Sequence, residues 1–245
     1  MQRSTYFDNY LATHFEFKAE EDKKVRALDF DTFDRNFLSA LPQDKNARIL
    51  EVGFGTGLFL EYLKERGYTN IEGVEYAADM VAYVAKKLPD VAVSKSDDIE
   101  QFFASHAGQF DAIVMIDVVE HFEKPKVVGT LKLAREALKP GGAVIARCPN
   151  GSNPFNIQMA YDDFTHEFLF TRNSFEQVFM LAGFAKEKIA IGGFSEESIT
   201  MGGKIKNLIR PVMFKLLAIQ IKLFRAFTQP DSIYTKNIFA VARRD

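Results

Sequence analysis

Residues 49–60 read ILEVGFGTGLFL, an apolar segment that passes through three closely spaced glycines into a second apolar segment. The first segment has the near-continuous apolar character of a buried parallel strand. Gly53, Gly55 and Gly57 carry no Cβ atom, so the backbone there can approach a ligand closely. A helix that begins at Leu58 would direct its free N–H groups at the same ligand. The stretch therefore predicts a strand, a tight turn and a helix that together bind a nucleotide-like molecule.

The glycine spacing and one acidic residue narrow the class of ligand. A dinucleotide-binding turn has the pattern G-x-G-x-x-G, whereas here Leu58 stands where its last glycine is expected. Glu51 lies inside the apolar strand, where a carboxylate is costly to bury unless it has a charged or hydrogen-bonding partner. These features disfavour NAD and favour a cationic, amine-bearing cofactor.

The pattern E-x-G-x-G-x-G resembles the first motif of the class I S-adenosylmethionine-dependent methyltransferases, and further motifs follow in the order that this superfamily shows. IEGVEYA places Glu75 about 20 residues after the glycines, where an acidic residue can accept both ribose hydroxyls. KSDDIEQF resembles the segment that contacts adenine, FDAIVMIDVVEHF the fourth strand, and ALKPGGAVIARCPN the helix, turn and fifth strand that follow. The resemblance covers roughly residues 47–194 and implies S-adenosylmethionine as the cofactor.

The resemblance also implies which residues bind this cofactor. They are Glu51, Gly53, Gly55, Gly57, Glu75, Asp97, Asp98 and Asp117. No spacing of His, Cys, Asp and Glu along the chain is typical of a metal site, so no metal is expected.

Strands alternate with helices from residue 47 to residue 194, which predicts a Rossmann-like, doubly wound α/β sheet with its ligand beyond the carboxyl ends of the strands. We expect strands near residues 48–53, 71–75, 90–94, 110–116, 142–148 and 186–192. The resemblance implies a seventh, antiparallel strand at residues 235–244. Apolar positions within residues 1–45 predict N-terminal helices that pack on the sheet. The whole chain is expected to form one methyltransferase domain.

The amino-acid composition limits the binding partners and the cellular compartment that we expect for this protein. The chain has 245 residues, 47% hydrophobic content and a formal net charge of −2. This suits one domain with a full core and shows no basic footprint for nucleic acid. Cys148 is the single cysteine and lies in an apolar strand, and the first residues do not read as a signal peptide. We therefore expect a protein of the reducing cytoplasm.

A basic segment precedes the last predicted strand. Residues 204–228 hold six basic residues and no acidic one, and Lys215, Lys222 and Arg225 share a narrow stripe on a helical wheel. Charges interrupt this helix too often for it to span a bilayer, but a basic stripe opposite a broad apolar face suits an anionic membrane surface. A helix that packs on its own domain or across a homodimer would show the same pattern, so those alternatives stay open.

The candidate chemistry lies in a long loop expected at about residues 150–172, where the superfamily builds its acceptor pocket. This segment also resembles ubiquinone-biosynthesis O-methyltransferases and the methyltransferases of O-antigen and capsule gene clusters. His166 is the predicted base that removes the acceptor proton, with Asp162 or Asp163 orienting its other nitrogen. His121 is the alternative base, and each histidine has a structural role as its competing interpretation.

Together these features predict an O-methyltransferase whose acceptor is a sugar hydroxyl of a growing or lipid-linked surface glycan. The basic helix and the resemblance of the acceptor loop support this choice. A quinone precursor or another small hydrophobic phenol at the membrane is the alternative acceptor. A cofactor-binding protein without catalytic activity is a third possibility, which the intact set of Glu51, the glycines and Glu75 disfavours.

Overall fold

The computed structural model describes residues 23–196, 201–224 and 233–245. Within these ranges, helices and strands alternate along most of the chain. The strands are β1 (Ile49–Val52), β2 (Ile71–Glu75), β3 (Ala92–Lys95), β4 (Phe110–Ile116), β5 (Leu138–Pro149), β6 (Ile189–Gly193) and β7 (Asn237–Arg243). The α-helices are α1 (Lys23–Phe37), α2 (Leu58–Glu65), α3 (Ala78–Lys87), α4 (Ile99–Ser105), α5 (Val127–Ala137), α6 (Ile157–Asp162), α7 (Arg172–Leu181) and α8 (Met201–Phe224).

All seven strands form one sheet in the order β3-β2-β1-β4-β5-β7-β6. Strands β1 to β5 are parallel, whereas β7 pairs antiparallel with both β5 and β6. The chain winds outward from β1 in one direction and from β4 in the other, so a crevice opens beyond the carboxyl ends of these two strands. The predicted Rossmann-like sheet with an antiparallel last strand is confirmed.

Two strands, β5 and β6, begin three or more residues away from where the apolar pattern predicts. β5 begins at Leu138, because Leu138 pairs with Phe110 ahead of an irregular register around Gly141, whose φ is 78°. β6 begins at Ile189, because Lys186–Lys188 form a 3-10 helix before it. Neither shift moves the carboxyl end of a strand that faces the crevice.

Apolar cores lie on both faces of the sheet. On one face, Phe33 and Phe37 of α1 pack edge-on against Phe59 of α2. On the other face, the buried rings of Phe175 and Phe179 lie 5.3 Å apart and pack with α5 against the sheet. Because helices cover both faces, the central strands are buried throughout and the polar side chains collect at the strand ends.

α8 leaves a broad apolar surface exposed. Phe214 contacts the ring of Tyr234, and Asn207 donates to the carbonyl of Glu196, so one side of the helix faces the domain. The exposed large apolar side chains of this helix are Met201, Ile205, Leu208, Ile209, Val212, Met213, Leu216, Ile219 and Leu223. Among the described ranges, no helix combines the length and apolarity needed to cross a membrane. Arg225, part of the predicted basic stripe, lies outside the described residues.

Candidate active site

The glycine turn joins β1 to α2 in a backbone conformation that favours glycine. Gly53, Gly55 and Gly57 have φ angles of 68°, 50° and 76°. A Cβ atom at Gly53 would lie 2.5 Å from Cγ2 of Val118, whereas one at Gly57 would lie 3.0 Å from Cγ1 of Val84. Gly53 and Gly55 line a cavity, but Gly57 does not. Gly57 therefore shapes the turn and its packing against α3.

Glu75 ends β2 with its carboxylate against the glycine turn. Oε2 accepts from the backbone N–H of Gly55 at 3.1 Å, and Oε1 accepts from the N–H groups of Tyr76 and Ala77 at 2.7 and 3.2 Å. Burial raises the pKa of Glu75, although these three N–H groups act in the opposite direction. The carboxylate lines the cavity with acceptor capacity left over, as a ribose-binding residue requires.

Glu51 of β1 is the carboxylate whose burial in an apolar strand is expected to be energetically costly. Its Oε2 has no hydrogen-bond partner among the described residues, although the side chain lines the cavity. Burial and the charge of Glu75 raise the pKa of Glu51 well above its ordinary value. A ligand that brings a cationic amine would remove this cost. S-adenosylmethionine fits this pair of carboxylates, because Glu51 offers an unpartnered oxygen to a cationic amine and Glu75 can accept hydrogen bonds from ribose hydroxyls.

The remaining predicted cofactor residues also lie at the cavity. Asp98 caps α4, with its side chain accepting from the N–H of Gln101 at 2.9 Å, and Asp97 pairs with Lys95. Asp117 follows β4 with a φ of 54°, an uncommon conformation for a residue other than glycine. Its carboxylate pairs with Arg147. Three of the predicted carboxylates are thus already engaged by the protein itself.

One cavity of about 690 Å³ contains both the glycine turn and the predicted catalytic histidines. Glu51, Gly53, Gly55 and Glu75 line the side of it where the sequence predicts the cofactor. Asp163, His121 and His166 line it as well, together with Glu123 and Lys126. The parallel sheet brings about this meeting, because the segments that follow β1, β2, β4 and β5 all leave the same edge.

The loop after β5 brings His166 next to His121, with 4.7 Å between the ring centres. Nδ1 of His166 lies 2.8 Å from the carbonyl oxygen of Met159. The expected orienting carboxylate, from Asp162 or Asp163, is therefore replaced at this nitrogen by a main-chain carbonyl. Asp163 instead accepts from the hydroxyl of Thr165 at 2.6 Å, and this hydroxyl lies 2.8 Å from Nδ1 of His121.

His121 is mostly buried in a 3-10 helix, Val119–His121. Burial, helped by the neighbouring His166, lowers the pKa of His121 to about 4. The imidazole is therefore neutral at neutral pH. Both imidazoles face one cavity, where an imidazole can take up a proton from a hydroxyl group.

Sequence reasoning missed Glu120, which lies between these groups and the core. Its side chain is fully buried, and neither carboxylate oxygen has a hydrogen-bond partner among the described residues. Burial raises the pKa of Glu120 well above its ordinary value, and the charge of Asp117 acts in the same direction. The signal was present in the sequence: Glu120 interrupts an apolar run, as Glu51 does.

A family model described as "Methyltransferase domain" matches residues 23–189. Two bacterial relatives are named ubiquinone biosynthesis O-methyltransferase. The protein from Cereibacter sphaeroides is 30% identical over 155 residues, which are 60% of this chain and 61% of the relative. The one from Roseobacter denitrificans is 32% identical over 130 residues, 52% of this chain and 50% of the relative. The matches thus span about half to three fifths of these relatives.

Solved structures share the fold at low sequence identity. An S-adenosylmethionine-dependent methyltransferase from Archaeoglobus fulgidus has a TM-score of 0.68 and 19% identity, and the match covers 97% of this chain and all of that one. A phosphoethanolamine N-methyltransferase from Haemonchus contortus, solved with S-adenosylmethionine, has a TM-score of 0.58 and 17% identity over 98% of this chain and 60% of that one. The predicted resemblance is confirmed: the chain belongs to the methyltransferase domain family and has the fold of class I S-adenosylmethionine-dependent methyltransferases.

Proposed function

We propose that the protein transfers a methyl group from S-adenosylmethionine to a hydroxyl oxygen of an acceptor that lies against His166 and His121. The observation that carries this proposal is the single cavity lined by the glycine turn, Glu75 and both histidines. When bound, S-adenosylmethionine supplies an electrophilic methyl group on a sulfonium. Transfer needs the acceptor oxygen in line with that methyl group, and alignment alone contributes several kcal/mol, about 7 or more in favourable cases.

The cofactor side of the cavity would hold S-adenosylmethionine through residues that already line it. Glu75 would accept from the ribose hydroxyls, and Glu51 would pair with the cationic amine. Asp97 and Asp98 would contact the adenine. Asp117 forms part of the cavity wall, and its carboxylate is already paired with Arg147.

His166 accepts the proton of the acceptor hydroxyl in this mechanism. Its Nδ1 lies 2.8 Å from the carbonyl of Met159, an acceptor only, so Nδ1 carries the proton and Nε2 carries the lone pair. A general base in this position contributes about 10²–10⁴ in rate. His121 is the alternative base, with Asp163 acting on its ring through Thr165.

Two exposed apolar surfaces support the proposal of an acceptor with a lipid tail. On the loop after β5, Phe155 and Phe164 are 77% and 83% exposed, and on α8 Leu208 and Leu223 are 79% and 80% exposed. Surfaces of this kind on a soluble fold are typical of contact sites for membranes or proteins. With Lys215 and Lys222 on the same helix, the proposal is peripheral binding to an anionic membrane on its cytoplasmic side.

The two apolar surfaces are joined through one segment of the chain. Asn150, at the start of the loop, donates to the carbonyls of Ile233 and Thr235 at 2.8 and 2.9 Å. Tyr234 in the same segment contacts Phe214 of α8. A membrane contact by α8 would therefore lie close to the loop that bounds the acceptor side of the cavity.

The names of the relatives favour a phenolic quinone precursor as the acceptor. A sugar hydroxyl of a lipid-linked glycan is the second candidate, because Glu123, Lys126 and Asp163 give this side of the cavity several hydrogen-bonding groups. Both candidates share a hydroxyl group on a lipid-anchored molecule. They differ in the cell extract, quinone or surface glycan, in which the transferred methyl group is recovered.

Radiolabelled methyl groups separate the two candidates. Cells with and without an intact gene are supplied with labelled methionine, and lipid-soluble quinones and surface glycans are extracted separately. Label that depends on the gene should appear in the quinone fraction, whereas gene-dependent label in the glycan fraction would select the second candidate. Equal label in both fractions of both strains, despite cofactor binding by the purified protein, would contradict O-methyl transfer to either acceptor.

A further inference from the structure

One carboxylate of the cavity lies outside the set of cofactor residues that the sequence predicts. Glu100 belongs to the first turn of α4 and lines the cavity beside Ile99. Oε1 of Glu100 accepts from the hydroxyl of Thr130 on α5 at 2.8 Å, and the side chain of Thr130 is buried. Oε2 takes no part in this hydrogen bond, so it is left to accept from a ligand.

The sheet places Glu100 on the side of the cavity where the base of the cofactor is expected. β2 and β3 are parallel neighbours, and Glu75 at the end of β2 is in register with Lys95 at the end of β3. The N–H of Ser96 donates to the carbonyl of Glu75 at 2.9 Å, so the segment that leads from β3 into α4 starts beside Glu75. A ribose held by the carboxylate of Glu75 would therefore carry its base toward residues 96–100.

The two aspartates expected to contact the adenine already have partners within the protein. Asp97 pairs with Lys95, and the side chain of Asp97 is 69% exposed. Asp98 accepts from the N–H of Gln101 at the start of α4. Glu100 differs from both, because its partner among the described residues is a neutral hydroxyl that occupies one oxygen. Its carboxylate is thus held in place and still has acceptor capacity toward the cavity.

An ionised carboxylate only accepts hydrogen bonds, which limits the group that it can bind on a purine. The donor that adenine offers is its 6-amino group, whereas its ring nitrogens accept. Hypoxanthine, the deaminated base, has a carbonyl oxygen in place of that amine, so two acceptors would face each other. We propose that Glu100, oriented by Thr130, accepts from the 6-amino group of S-adenosylmethionine and selects this cofactor against its deaminated form. Thr130 is a positioning residue, since it acts through Glu100.

S-adenosylhomocysteine and S-inosylhomocysteine are the probes, since they differ in the 6-substituent of the base and neither carries a methyl group to transfer. Calorimetry with the full chain measures the affinity of each. We expect the adenine form to bind at least about tenfold more tightly, because a charge-assisted hydrogen bond is lost with the other probe. The inference rests on the cofactor side of the proposed function. Because no turnover is measured, its failure is distinguishable from failure of methyl transfer.

Matched variants locate the selectivity. Glu100→Gln should lower the ratio of the two affinities at least about tenfold, because an amide can turn its oxygen to the amine of adenine or its NH₂ to the carbonyl of hypoxanthine. Glu136→Gln removes the same charge from a residue of α5 that does not line the cavity, and it should leave the ratio unchanged. Thermal unfolding checks that each variant is folded.

A conservative pair tests the positioning role. Thr130→Val removes the hydroxyl that holds Glu100 and should also lower the ratio, whereas Thr130→Ser should restore it. A parent protein that binds both probes equally would overturn the proposal. Affinities for the two probes that fall together in Glu100→Gln, at an unchanged ratio, would assign the hydrogen bond to the packing of α4 on α5 and overturn it as well. Binding of neither probe by the parent would contradict the cofactor site itself.

Discussion

At the scale of single residues, buried carboxylates mark both sides of the cavity. Glu51 lies on β1 just before the glycine turn, and Glu120 lies just before His121 in the 3-10 helix. Each has a carboxylate oxygen without a hydrogen-bond partner among the described residues. Such groups lower the free energy of unfolding, so their presence indicates ligands that compensate for the cost. Glu75 differs, because three backbone N–H groups already hold its carboxylate in place.

The role of Glu75 can be tested by removing its carboxylate. Glu75→Ala should weaken S-adenosylmethionine binding by about 1.5–3 kcal/mol, because charge-assisted hydrogen bonds to the ligand are lost and the N–H of Gly55 loses its partner. Calorimetry measures this as a loss of at least about tenfold in affinity. Glu72→Ala is the control, since Glu72 lies on the same strand but pairs with Arg48. Equal affinities for both variants would remove Glu75 from the site.

The pKa of Glu51 predicts a pH-dependent stability. Because burial raises this pKa in the folded protein, the contribution of the group to stability is fully present below its unfolded pKa and is lost as pH rises through its folded pKa. Glu51→Gln keeps a neutral side chain at every pH. In thermal unfolding without cofactor, the Tm of the variant relative to the parent should therefore increase as pH rises.

Glu51→Gln should weaken cofactor binding even though it maintains or raises the Tm. The neutral amide of Glu51→Gln cannot pair with a cationic amine, so S-adenosylmethionine affinity should fall while Tm in the absence of ligand is maintained or raised. A Tm difference that stays constant from acid to alkaline pH would show that folding leaves the pKa of Glu51 unchanged and would contradict a raised pKa for this carboxyl.

At the scale of elements, the glycine turn is the most constrained connection. Gly53→Ala places a Cβ atom 2.5 Å from Val118 at a φ of 68°, so the variant should be destabilised and should lose cofactor affinity. Gly67→Ala is the matched control, because Gly67 has a φ of 83° but no heavy atom within 4 Å of the added Cβ. It should lose only the conformational cost of about 1–2 kcal/mol. Equal unfolding midpoints and affinities for the two variants would contradict the steric argument.

α8 can be tested by reversing charge. Lys215 and Lys222 should attract anionic vesicles over a Debye length of about 8 Å at physiological ionic strength, and changing both to Glu should release the protein. Lys186→Glu with Lys188→Glu makes the same charge change at an exposed site outside this helix and should leave vesicle binding intact. Liposome sedimentation at low and high salt measures both variants. A change in oligomeric mass by light scattering, with no vesicle binding by the parent, would instead select the homodimer.

The elements that could be predicted from the sequence are those with a local signal. The glycine turn and the ends of β2 and β4 follow from short apolar runs that stop at glycine or acidic residues. The contact between His121 and His166 has no such signal, because it depends on where the loop after β5 folds back. The carbonyl partner of His166 was likewise unpredictable, since main-chain contacts of a loop leave no pattern in residue types.

At the scale of the whole molecule, the topology places both sides of the site together. β1 and β4 are neighbours although two strands separate them along the chain, so the glycine turn after β1 faces the 3-10 helix after β4. The loop after β5 then closes on the same crevice. This arrangement accounts for one cavity with a cofactor side and an acceptor side, and it supports the central claim that the protein methylates a hydroxyl group.

Turnover by the purified protein tests this claim most directly. The chain is incubated with methyl-labelled S-adenosylmethionine and a prenylated catechol, and the products are identified by mass spectrometry and NMR. We expect a methyl ether, one S-adenosylhomocysteine for each methyl group transferred, and a kcat lowered by about 10²–10⁴ in His166→Ala with cofactor affinity nearly unchanged. Methylation at carbon or nitrogen, or a kcat in His166→Ala within about threefold of the parent, well short of the loss expected for a base, would contradict it.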